Sequence, residues 1–138
     1  MYSLSQRSLD RLSGVHPDLA AIVSRAINIT SVDFTVLEGL RSKNRQKKLV
    51  KAGASHTMNS RHLTGHAVDL GAWVGGTIRW DWPLYYKISY AMKQASKELE
   101  IPIKWGGDWK SLKDGPHYQL PWTTYPNSVK NSCGVNGE

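Results

Sequence analysis

The chain has 138 residues, a length that suits about one domain with a single core. Its one cysteine, Cys133, excludes an internal disulfide framework and a thiolate-rich metal site; no run of about 18 apolar residues and no charged-then-apolar leader is present, so neither a membrane span nor a signal peptide is expected. Eighteen Lys and Arg against 11 Asp and Glu give a net charge of +7, which suits a polyanion without choosing among nucleic acid, anionic lipid and cell wall.

Ser5 to Leu12 reads as a short helix. Pro17 near a helix start, Asp18 in the first turn, and Leu19, Ile22, Val23, Ala26 and Ile27 at helical spacing predict an amphipathic helix packed on the core. Phe34, Val36 and Leu37 favour a strand that runs into Gly39 and Arg41, where an arginine can project into a cleft. A basic helix over 44–52 carries Arg45, Lys47, Lys48 and Lys51 and stops at Gly53; its charges read as a solvated face, with Gln46 a candidate to face the site.

Residues 54–61 are small and polar and read as a loop, 67–70 as a short buried strand, and 71–79 as a strand-turn-strand excursion around Gly75-Gly76. Asp81 is placed to cap the longest helix, about 82–99, whose Tyr85, Ile88, Met92, Ala95 and Leu99 form an apolar stripe. Strands are expected at 101–105 and 118–120. The stretch 123–138 lacks apolar periodicity and reads as a mobile tail containing Cys133. Helices before and between antiparallel strands predict an α+β fold, a small antiparallel sheet backed by helices, with no internal repeat or second domain.

The chemistry concentrates in Ser60-Arg61-His62-Leu63-Thr64-Gly65-His66-Ala67-Val68-Asp69 and, far downstream, Asp114-Gly115-Pro116-His117. Side chains alternate along a strand, so Asp69 can face a cleft while Val68 and Leu70 face the core. Two imidazoles and one carboxylate form the three-ligand set that leaves a coordination position open on a catalytic zinc ion, and His62, Asp69 and His117 are the candidates. Asp114, three residues before His117 across a Gly-Pro turn, is placed to take a proton from water and pass it to a leaving nitrogen. His66 follows His62 across a glycine turn and is excluded from a helical HxxxH site, which leaves it a supporting or surface role. His16 and His56 read as surface or capping residues. Asp108 is a candidate to orient a metal ligand or to hold its loop, and Trp105 and Trp109 read as core braces or an aromatic wall of the cleft.

These motifs resemble the VanY-like zinc D-alanyl-D-alanine carboxypeptidases and L-alanyl-D-glutamate endopeptidases, in particular the single-domain phage endolysins. The likeness runs from Ser5-Gln6-Arg7-Ser8-Leu9 through Glu38-Gly39-Leu40-Arg41, the SxHxxGxAxD segment and Trp105-Gly106-Gly107-Asp108-Trp109 to the DGPH segment, fading after about Trp122. It implies the hedgehog/D-Ala-D-Ala peptidase fold, a catalytic domain over 1–122 and a tail over 123–138. It also implies zinc held by His62, Asp69 and His117, with Asp114 as acid/base, Arg41 stabilising an oxyanion or holding substrate, and Ser60 contacting substrate. Aspartate at 114, where carboxypeptidase members commonly carry glutamate, points to the L-alanyl-D-glutamate bond; removal of terminal D-alanine, or wall binding without catalysis, are the alternatives. The partner implied is bacterial peptidoglycan, with no nucleic acid, and a monomer is expected. Synthesis is expected in the host bacterial cytoplasm, with access to the wall after a separate membrane-permeabilising protein acts.

Overall fold

The computed structural model describes residues 1–126. The expectation for Cys133, and most of that for the tail, lies outside the described residues. Helix α1 (Gln6–Leu12) is capped by Ser5, and α2 (Pro17–Ile29) by His16, whose Nδ1 accepts from the Asp18 N–H; each satisfies an N–H left open in a first helical turn. Then come β1 (Phe34–Glu38), α3 (Lys43–Lys51), a 3₁₀ turn (Arg61–Thr64), β2 (Ala67–Val74), β3 (Thr77–Arg79), α4 (Trp82–Leu99), β4 (Lys104–Trp105), a second 3₁₀ turn (Gly106–Asp108) and β5 (His117–Gln119).

The strands form one antiparallel sheet in the order β1-β2-β5-β4, with β3 paired to the end of β2. This is the mixed α+β architecture expected from the sequence. Leu19, Ile22 and Val23 of α2 and Ile88 and Met92 of α4 are buried in one core with Val36, Val68, Leu70 and Tyr118 of the sheet. Each such side chain contributes about 1.5–3 kcal/mol of burial free energy, so the helices are held to the sheet mainly by apolar area.

Three local expectations change. Asp81 occupies the position before α4, but its carboxylate pairs with Arg79 and makes no cap bond to the helix. Strand β4 is confined to Lys104–Trp105, because Pro102 has no N–H to give a ladder. Leu99, at the end of the α4 stripe, is 39% exposed. The start of the presumed tail is tied down, since Tyr125 donates its hydroxyl to Asp18 Oδ2 (2.6 Å) and its carbonyl accepts from Arg61 (2.7 Å).

Candidate active site

Sheet register does the first part of the assembly. Glu38 on β1 pairs with Asp69 on β2, and Asp69 pairs with His117 on β5, so three ionisable residues lie in one row across three strands. Because Val68 and Leu70 point into the core, the intervening Asp69 points to the opposite face. A register irregularity between Val36 and Glu38 brings Glu38 into the row.

His62 arrives from the 3₁₀ turn, which Ser60 caps by accepting from the His62 N–H at 3.2 Å. The turn ends at Gly65, with φ +77° and a site where any Cβ would run into the Gly14 carbonyl. Glycine is required there on both counts. The backbone then laces the turn to the end of β1, with Arg41 N–H donating to the His62 carbonyl at 2.9 Å.

His62 Nδ1 donates to the Gly39 carbonyl (2.9 Å), and His117 Nε2 donates to Gln119 Oε1 (2.7 Å). These bonds occupy one nitrogen of each ring and turn the other, His62 Nε2 and His117 Nδ1, toward Asp69 Oδ1 at 3.2 and 3.4 Å. The three ligand atoms all lie within 4.8 Å of one another, and the group could hold a metal ion. For bonds of about 2.0–2.1 Å the edge of a coordination tetrahedron is roughly 3.3 Å, which two of these separations match. Burial opposes the charge on Asp69, but hydrogen bonds from His117 and His62 and their charges hold its carboxyl well below the ordinary range. Burial likewise opposes a charge on His117, and Asp69 overrides it, raising the imidazole above its usual value. The cradle therefore favours positive charge.

Beside it, Arg41 is gripped by Glu38 through two bonds (2.6 and 3.0 Å) and donates to Gln46 Oε1 (2.8 Å), leaving its Nη2 3.7 Å from Asp69 Oδ2. Arg41 is thus held as a fixed cation against the Asp69 oxygen that faces away from the two histidines. Gln46, fully buried, passes the connection on through Nε2 to Ser55 Oγ (2.8 Å) and the Thr57 carbonyl (2.6 Å). Burial pushes the Glu38 carboxyl up, but Arg41 and Arg45 bring it below the ordinary range.

Asp114 lines the same cleft, a volume of about 640 Å³ that also exposes His62, Asp69, His117, Arg41 and Ser60. Its loop is held on both sides: Asp114 N–H donates to the Gly106 carbonyl (3.0 Å), and Trp105 Nε1 donates to the Gly115 carbonyl (2.7 Å). Tyr85 packs so closely on Gly115 that a Cβ there would collide with its ring. Burial and the charge of Asp69 push the Asp114 carboxyl up, with His117, His62 and Arg41 pulling the other way, for a net rise. A carboxyl displaced toward neutrality is suited to carry a proton in both directions.

All six residues singled out in the sequence, His62, Asp69, His117, Asp114, Arg41 and Ser60, therefore border one cleft. Trp109 stands in its wall, 5.2 Å from the His117 ring, while Trp105 is a buried brace. His56 is exposed and lines the cleft as well. Asp108 bonds to neither candidate histidine; it pairs with Lys93 at 2.8 Å, and the His117 and His62 rings are oriented by Gln119 and the Gly39 carbonyl. Gln119 could have been found from its place two residues after His117, on the same strand face. His66 is buried rather than on the surface, bonded through Nδ1 to Thr64 (2.6 Å) and packed 5.3 Å from the His16 ring.

A family model described as phage L-alanyl-D-glutamate peptidase matches residues 1–120. The chain belongs to this family. The phage L-alanyl-D-glutamate peptidase relative from Escherichia phage T5 is 30% identical over 128 residues, covering 90% of this chain and 93% of its own length. The solved Serratia marcescens L-Ala D-Glu endopeptidase ChiX is 49% identical with a TM-score of 0.85, over 88% of this chain and 92% of that one. The vancomycin-resistance D,D-dipeptidase VanXYg is 19% identical with a TM-score of 0.51, over 77% of this chain and 50% of that one, a likeness of fold.

Proposed function

We propose that this chain is a zinc-dependent peptidoglycan peptidase of the endolysin type that hydrolyses the L-alanyl-D-glutamate amide of the stem peptide. The observation that carries this reading is the pair of 3.2 and 3.4 Å separations from Asp69 to His62 and His117, with Asp114 in the same cleft, in a family of that activity. His62 Nε2, Asp69 and His117 Nδ1 hold the metal. Zinc suits two imidazoles and a carboxylate, and when bound it supplies Lewis acidity and lowers the pKa of water from ~15.7 to roughly 7.

Asp114 accepts the proton of the attacking water and delivers it to the leaving amide nitrogen. Arg41 supplies fixed positive charge for a substrate carboxylate or for the negative charge that develops on the carbonyl oxygen. Ser60, two residues before His62, contacts the substrate. The Glu38 and Gln46 contacts keep Arg41 from swinging into the cleft and neutralising Asp114.

The catalytic unit is 1–122, and the cleft is complete within one chain, which supports action as a monomer. No helix among the described residues is long and apolar enough to cross a membrane. The enzyme is made in the host bacterial cytoplasm and meets the wall once a separate membrane-permeabilising protein has opened the way. Mass spectrometry of digested sacculi tests the reading. Release of stem peptides beginning with D-glutamate is the expected result, whereas loss of a single terminal alanine would make it a D,D-carboxypeptidase and intact muropeptides a wall-binding module.

A further inference from the structure

The outer face of α4 differs from the polar side of an ordinary amphipathic helix. Trp82, Tyr86 and Tyr90 recur every fourth residue and are 38%, 59% and 75% exposed. At ~1.5 Å rise per residue the three rings form a stripe roughly 12 Å long. Packing of the fold does not require rings there, and a contiguous exposed apolar patch marks contact with something else. The stripe is also anchored: Trp82 and Tyr86 rest on buried Trp105 with ring centroids 6.3 and 5.6 Å away, and on each other at 5.9 Å.

Charge narrows the occupant. Lys87 and Lys97 share the exposed side of α4 and have no ion pair among the described residues, while Lys93 stands over the Trp105 ring at 5.0 Å. The stripe carries aromatic rings with polar edges and no aliphatic side chain, which suits a flat partner rimmed by polar groups. Position narrows it further. Trp82 meets Tyr85 at 5.4 Å, Tyr85 packs on Gly115, and Trp105 donates to the Gly115 carbonyl, so the stripe begins at the back of the loop that bears Asp114 and His117.

We propose that this aromatic stripe of α4 is a second substrate site that holds a glycan strand of peptidoglycan; the proposal rests on the peptidase reading above. The apolar C–H faces of successive sugar rings stack on Trp82, Tyr86 and Tyr90. Tyrosine hydroxyls and Gln94 meet the sugar hydroxyls, and Lys87 and Lys97 meet carboxylates borne along the strand. The strand is held on the flank of the catalytic loop while the cleft works on a stem peptide of the same or a neighbouring strand. Retention on an insoluble substrate then multiplies encounters at the cleft.

The test uses the full chain and a Tyr86→Ala/Tyr90→Ala double variant, both changes lying on exposed positions. Peptide-free glycan strands from sacculi are titrated while the tryptophan indole N–H signals are followed by NMR, and kinetics are measured on whole sacculi and on a soluble stem peptide. Loss of two stacking rings should weaken glycan binding by about tenfold or more, as for aromatic anchors in other interfaces. KM on sacculi should rise by a similar factor, with kcat/KM on the soluble peptide within about twofold of wild type. Absence of glycan binding by the wild type, equal binding by the variant, or self-association through this face would each overturn the proposal. Failure to cut the soluble peptide would instead overturn the peptidase reading, while the glycan titration still decides this one.

Discussion

Helices α4 and α3 are tied to the same sheet by opposite means. The 18 residues of α4 bury Tyr85, Ile88, Ser89, Ala91, Met92 and Ala95 against the core, whereas the nine residues of α3 bury Gln46 alone. One attachment is apolar area, insensitive to the detail of the site; the other is a chain of hydrogen bonds from Ser55 and Thr57 through Gln46 to Arg41, whose charge lies 3.7 Å from Asp69. The core side of the sheet therefore supplies stability, and the cleft side supplies alignment at the cost of holding charges out of water.

Four changes probe that division. Asp114→Asn removes the proposed proton carrier with little change of shape and should lower kcat by about 10²- to 10⁴-fold at an unchanged melting temperature, measured by muropeptide release and calorimetry. Met92→Ala, fully buried on the core side, should cost about 2–5 kcal/mol in denaturant unfolding while each molecule still folded keeps its turnover. Gln46→Met keeps volume but removes the acceptor of one Arg41 N–H and the 2.6 Å donor to the Thr57 carbonyl, while Glu38 still holds Arg41. A loss of about 1–3 kcal/mol is expected, with a disproportionate fall in kcat/KM; unfolding without that kinetic effect would erase the contrast between the helices.

The smallest effect concerns pH. Burial, with the nearby charges of Arg61 and His16, pushes the His66 imidazole down to about 4. Between pH 6.5 and 4 the unfolded chain binds the proton that the folded chain refuses, so stability present above pH 6.5 is lost as pH falls toward 4. Allowing for solvent screening, the loss is on the order of 1–2 kcal/mol. His66→Gln should flatten that part of the stability curve and leave the pH profile of hydrolysis in place, separating the acid sensitivity of the fold from that of the site.

The helical stripes of α2 and α4 were legible because apolar periodicity is a local property, and Pro17 and Gly53 marked boundaries for similar reasons. The candidate set of His62, Asp69 and His117 was legible through its motifs. Its convergence depends on Asp69 facing His117 across β2 and β5, a pairing of positions 48 apart in sequence that no local pattern specifies. The Gly39 carbonyl that fixes the His62 tautomer was invisible because main-chain groups carry no sequence signature. Asp81 was misjudged because Arg79 took its carboxylate, and of the two roles open to Asp108 the orienting one fell away because Lys93 of α4 pairs with it.

The most direct test is the zinc content of purified wild-type and Asp69→Asn protein, measured by elemental analysis after dialysis against trace metal. The account predicts one zinc per wild-type chain, removed by chelator together with wall hydrolysis, and well under half an equivalent in the variant. Wild-type protein that hydrolyses stem peptides without zinc, or a variant that keeps a full equivalent, would contradict it.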